Sequence, residues 1–133
     1  MDPKELKQKT AETAQTYFDD YPWERPYPLW RSFDPGLAKD LSLFITGAMY
    51  ARRKLDHPTR QLVAVSALAA LGAADELRLH IWAGLRVGLD PRDMAEAIFQ
   101  VGVYAGMPKV NQALAVLKEV LKERGQWPLE PKE

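Results

Sequence analysis

The chain contains no cysteine. Disulfide scaffolds, thiolate metal sites and redox cycles that run on the protein's own sulfur are therefore excluded. It lacks an excess of charge of either sign: 18 Lys and Arg balance 18 Asp and Glu. No broad positive field is present to gather phosphates, so nucleic acid is not an expected partner. A long apolar run is missing too. The longest, Leu62 to Leu71 interrupted by Ser66, covers about ten residues, against roughly 20 needed to span a bilayer. A membrane is accordingly not expected as a partner, and the start, Met1-Asp2-Pro3-Lys4-Glu5, has no basic flank followed by an apolar stretch. The expectation is a cytoplasmic protein. Glycine-rich phosphate loops, dinucleotide fingerprints, zinc-protease motifs and serine-histidine-acid arrangements are absent, so no cofactor and no metal is expected.

At 133 residues the chain fits one domain, 1–133, able to bury roughly two-thirds of its extended surface. No segment alternates apolar and polar residues as a half-buried strand would, so the expected class is all-α with six helices. A first, polar helix spans about Pro3 to Phe18, with Leu6, Thr10, Thr13, Ala14 and Tyr17 as a thin stripe. Residues 21–35 carry four prolines among Trp23, Tyr27, Leu29, Trp30 and Phe33, and read as an ordered proline and aromatic arm without regular structure. Proline after an acceptor side chain marks the next helices, about 34–51 and 58–71. Gly72, Gly88, Gly106 and Gly125 then close successive helices, with starts near Ala74, Asp90-Pro91 and Pro108. The helix over 58–71 has little polar face and is expected to be covered on most sides. Residues 125–133 form a tail. The abundance of apolar helix surface, together with the arm, allows either a homo-oligomer or an arm folded over its own core.

Only two histidines are present, and His80 is the group suited to proton transfer near neutral pH. On a helix over 74–87, Glu76 lies one turn before it and Ala83 and Gly84 one turn after. Glu76 could orient His80 and raise its proton affinity, while the small residues leave room for a ligand. The bland reading is an ordinary surface Glu-His pair, with Gly84 letting a second helix approach. His57, before Pro58, reads as a cap. Arg60 in the first turn of an apolar helix needs an anionic or carbonyl partner if buried. Tyr104 places a hydroxyl on an apolar helix, for a structural partner or a ligand.

Several segments in order resemble the carboxymuconolactone decarboxylase family: Trp30-Arg31-Ser32-Phe33-Asp34-Pro35-Gly36-Leu37-Ala38, Leu55-Asp56-His57-Pro58-Thr59-Arg60-Gln61-Leu62, Glu76-Leu77-Arg78-Leu79-His80-Ile81, and Gln100-Val101-Gly102-Val103-Tyr104-Ala105-Gly106-Met107-Pro108. The resemblance covers about Trp30 to Leu121. It implies the alkylhydroperoxidase-like helical fold, with the arm appended, and assembly into trimers or hexamers. The redox branch of that superfamily carries Cys-x-x-Cys-x-x-x-His and an upstream glutamate. Here the histidine position is His80, the cysteine positions hold Ala73 and Glu76, and the glutamate position holds Gln61. Without a thiolate nucleophile, thiol peroxidase chemistry is excluded.

The cysteine-free decarboxylase branch keeps the histidine in a similar setting. Its reaction, as the resemblance implies, removes carbon dioxide from a carboxylated muconolactone without a cofactor. His80, with Glu76, is then the expected catalytic pair and the proton donor. Arg60, Gln61, Tyr104 and Trp30 are the expected substrate-binding residues, and Gln61 can donate a hydrogen bond to an oxyanion but cannot shuttle a proton. The alternative is a non-catalytic oligomeric member that binds a small ligand or a protein.

Overall fold

The computed structural model of the chain describes residues 1–130, which contain helices and no strand. The expected all-α class is observed, with more elements than the six expected. Seven α-helices are present among the described residues: α1 (Pro3–Phe18), α2 (Pro26–Phe33), α3 (Pro35–Ser42), α4 (His57–Leu71), α5 (Ala74–Arg86), α6 (Pro91–Ala105) and α7 (Met107–Glu123). A π-helical segment, Leu43–Tyr50, continues α3. The residues gather into two compact units, Met1–His57 and Pro58–Glu133. Of the expected tail, residues 131–133 lie outside the described residues.

In the first unit, Asp2 caps α1 by accepting the Glu5 amide at 2.8 Å, and Pro3 occupies the first turn, where its missing N–H costs nothing. The buried side of α1 is Thr10, Thr13 and Tyr17, three of the five stripe positions expected. The arm departs from expectation, because Pro26 to Phe33 is helical. Its prolines explain this: Pro26 and Pro28 fall in the first turn, where backbone N–H groups have no intrahelical partner to lose. Asp34 then ends α2 and caps α3, accepting the Leu37 amide at 3.0 Å.

The helix expected over 34–51 is real but changes winding. The Ala51 amide reaches the Thr46 carbonyl at 3.1 Å, a five-residue step. The wider turn rotates the inward face away from the α-helical spacing. In this segment Gly47 is buried while Phe44 and Met49 are exposed, and in the α3 turn before it Ala38 is buried and Leu37 exposed. Gly47 sits against α1: a Cβ there would lie 2.9 Å from Leu6 Cδ1 and collide with Thr10 Oγ1.

The second unit follows the expected punctuation closely. α7 packs on both α5 and α6, burying Val110, Ala113, Val116, Leu117, Val120 and Leu121. α6 contributes Met94, Ile98 and Val101, at helical spacing. Asp90 caps α6 through the Arg92 amide at 2.8 Å. Gly88 and Gly106 end α5 and α6 with φ of 92° and 89°, a conformation that favours glycine. α4 corrects its expectation: it buries one stripe, Gln61, Ala64, Val65 and Ala69, and within a single chain leaves Val63 and Leu71 exposed. None of the described helices is long and apolar enough to cross a membrane.

Candidate active site

His80 is held on α5, the most buried helix of the second unit. Leu77, Leu79, Ile81, Trp82, Ala83, Gly84 and Leu85 around it are all buried. The imidazole itself remains half-buried. Its Nδ1 lies 2.8 Å from Oε1 of Gln61, which α4 delivers from its buried stripe. An amide oxygen can only accept, so this bond requires Nδ1 to carry the proton and leaves Nε2 with its lone pair in the neutral ring. Burial pushes the His80 imidazole down from its ordinary value to about 4, because a charged ring in this apolar shell loses its water. Although part of the residue still touches solvent, the surrounding protein dominates. This corrects the expectation of a raised proton affinity.

The local spacing rule points to Glu76 as a partner of His80. Glu76 is exposed, and Nδ1 of the ring meets Gln61, 19 residues earlier in the chain. The expected space beside Gly84 is filled. A Cβ at Gly84 would lie 2.6 Å from Met94 Cε, 3.1 Å from Leu89 Cδ2 and 3.4 Å from Gln61 Cβ. Ala83 is likewise fully buried. Gly84 therefore serves close packing, and one of the groups it admits is the stem of Gln61.

Gln61 is fully buried, and its Nε2 has no hydrogen-bond partner among the described residues. A buried orphan donor costs about 1–3 kcal/mol. Buried polar groups are paired in the great majority of cases, so this orphan donor beside a histidine is an exception that calls for an explanation.

The other expected residues are placed differently. Arg60 precedes Gln61 on α4 and is half-buried. Tyr104, expected as a hydroxyl on an apolar helix, is 82% exposed near the end of α6. Trp30 lies half-buried on α2 in the first unit, whereas the pair around His80 is built from the second unit alone. His57, expected as a cap, engages the hydroxyl of buried Tyr17 through Nδ1. The two rings meet edge to face at 4.9 Å, and Tyr50 packs on Tyr17 in the same way. No group of three or more His, Asp or Glu among the described residues could hold a metal ion.

His80 on α5 and the buried amide of Gln61 on α4 thus form a pair built by two helices, with no thiol in the chain. Comparison with known proteins makes this more particular. The carboxymuconolactone decarboxylase family model matches residues 35–119. A 4-carboxymuconolactone decarboxylase from Acinetobacter baylyi is 35% identical over 96 residues, 72% of each chain. An uncharacterized 15.0 kDa protein in the nqo9-nqo10 intergenic region of Paracoccus denitrificans is 31% identical over 94 residues, 69% of this chain and 70% of its own. The chain belongs to the carboxymuconolactone decarboxylase family, and the match spans α3 through most of α7.

Proposed function

We propose that the protein is a cofactor-independent, decarboxylase-like lyase acting on a small carboxylated lactone, with His80 as proton donor. The observation that carries the reading is the 2.8 Å bond from His80 Nδ1–H to Gln61 Oε1, which orients the ring and makes Nε2 the basic nitrogen of the neutral imidazole. Family membership and the A. baylyi relative supply the reaction class.

In such a reaction the bond between the ring carbon and its carboxylate breaks and carbon dioxide departs. The electron pair passes into the conjugated lactone, placing negative charge on the lactone oxygen, and one proton is then added to carbon. His80 rests neutral, so it must first take a proton from water. A bound carboxylate favours this step, because a nearby negative charge raises the proton affinity of an imidazole. The imidazolium then donates from Nε2. Arg60 is the proposed partner for a substrate carboxylate, since a guanidinium matches its geometry. Glu76, on the exposed side of α5, does not share the His80 Nδ1 bond and has a minor electrostatic role.

The protein is further proposed to assemble with copies of itself. Val63 and Leu71 on α4, and Phe99, Val103 and Tyr104 on α6, are large apolar groups left exposed by the single chain. Sedimentation at low concentration tests this, and a stable monomer would refute it.

The rival reading is a family member that binds a ligand without turnover, favoured by the low proton affinity of His80. Following carbon dioxide release from 4-carboxymuconolactone separates the two: release by the wild type and its loss in His80→Gln support the lyase. No release from either protein favours the rival.

A further inference from the structure

We propose that the side-chain nitrogen of Gln61 is the donor that receives an anionic oxygen of the bound lactone, which makes Gln61 a substrate-binding residue rather than only a support for His80. The proposal rests on the carboxylated-lactone reading above and specifies how that ligand is held.

The two ends of this amide have different fates. Oε1 is committed to His80 Nδ1 at 2.8 Å. Nε2, on the same fully buried residue, is left with two N–H donors and no acceptor among the described residues. Committing the oxygen sets the plane of the amide, so the nitrogen cannot rotate to find a partner without surrendering His80. The stem is fixed as well, because the bare backbone of Gly84 lies against Gln61 Cβ, one helical turn beyond His80 on α5. An oxygen held by Nε2 therefore lies next to the imidazole that is to supply the proton. Negative charge forming on that oxygen would meet a pre-aimed dipole that needs no reorganisation.

The chemistry of the donor also selects its ligand. A neutral amide N–H welcomes a carboxylate, lactone or enolate oxygen, and the same site with a carboxylate at position 61 would repel it. Gln61→Glu is thus an informative variant. It keeps an acceptor for the His80 Nδ1–H while removing the donor. The wild-type Gln61 amide protons, which a merely structural role would leave unmoved on binding, supply the companion readout.

The probe is 5-oxotetrahydrofuran-2-carboxylate, a saturated lactone carboxylate with no conjugated double bond to accept electrons, so it binds without reacting. It is titrated into the full ¹⁵N-labelled wild-type chain while the Gln61 side-chain amide signals and the His80 ring nitrogens are followed. Binding is measured in parallel by calorimetry for wild type and Gln61→Glu. The expected result is a downfield shift of the Gln61 amide protons on saturation and an affinity at least about 10-fold weaker in Gln61→Glu. The His80 Nδ1–H signal should persist in both proteins. Failure of the probe to bind, saturation without movement of the Gln61 signals, or equal affinity in the two proteins would overturn the assignment. The wild-type spectra decide the matter even if the variant does not fold. Carbon dioxide release judges the lyase reading separately: a chain that binds through Gln61 but releases none loses only that reading, and one that releases it with Gln61 unmoved loses only the donor.

Discussion

Each of the two histidines of this chain meets a side chain of another helix through Nδ1, and the partners differ. His57 opens α4 and offers Nδ1 to the hydroxyl of Tyr17, in an aromatic cluster of the first unit. His80 lies in the middle of α5 and offers Nδ1 to the amide of Gln61, in the second. The difference is in the partner. A tyrosine hydroxyl both donates and accepts, so it can satisfy either tautomer of the ring. An amide oxygen only accepts, so it prescribes one tautomer. The glutamine, moreover, retains an unused donor.

The strongest way to break this comparison is to remove each ring. His80→Gln should reduce turnover by about 10²–10⁴-fold, the usual contribution of a positioned acid or base. His57→Gln should leave turnover within a few-fold and appear instead as lost thermal stability. Equal turnover losses in both would erase the distinction drawn here.

The pH dependence of stability sharpens it next. The His80 imidazole is lowered from 6.5 to about 4 in the folded chain, so between these values the unfolded chain binds the proton more readily. The contribution is present above pH 6.5 and is lost as pH falls through about 4. It amounts to at most about 3 kcal/mol. Denaturant unfolding of wild type at pH 7 and pH 4 should show this loss, and His80→Gln should lose correspondingly less. Parallel pH profiles for the two proteins would count against a desolvated His80.

Two glycines extend the comparison to packing. Gly47→Ala places a methyl on Thr10 and Leu6, which are themselves packed between α1 and the π-helical segment, and should cost about 1–3 kcal/mol. Gly84→Ala mainly displaces the mobile end of Met94, and the gain in helix propensity offsets part of the strain, so its cost should stay within about 1 kcal/mol. Thermal melts of the two variants measure both, and the reverse ranking would contradict the packing described. The smallest effect is expected for Glu76→Gln, which should leave turnover within about twofold because the residue is exposed. A large loss would return Glu76 to the catalytic pair.

Much of the fold was legible because helix boundaries are written locally. Asp2-Pro3, Asp34-Pro35 and Asp90-Pro91 announce helix starts, and Gly88 and Gly106 announce ends. The arm was misread because a proline pair breaks a helix in its interior but suits its first turn, and spacing alone does not say which applies at Pro26 and Pro28. The π-helical winding left no mark in the sequence, where 34–51 reads as one helix, and it leaves Phe44 and Met49 exposed. At the site, His80 stood out as one of two histidines. The resemblance already set Gln61 among the site residues, but spacing did not pair it with His80, because their bond joins two helices and only neighbours within one helix can be read from spacing. Gly84 was legible as a small residue, but whether it leaves a void or admits a neighbour depends on Met94, Leu89 and Gln61 from elsewhere in the unit.

The most direct test of the account is carbon dioxide release from 4-carboxymuconolactone at neutral pH by purified wild type and His80→Gln, with both shown to be folded. The account predicts release by the wild type and a rate at least about 100-fold lower in the variant. Equal rates in the two proteins, or no release from the wild type, would contradict it.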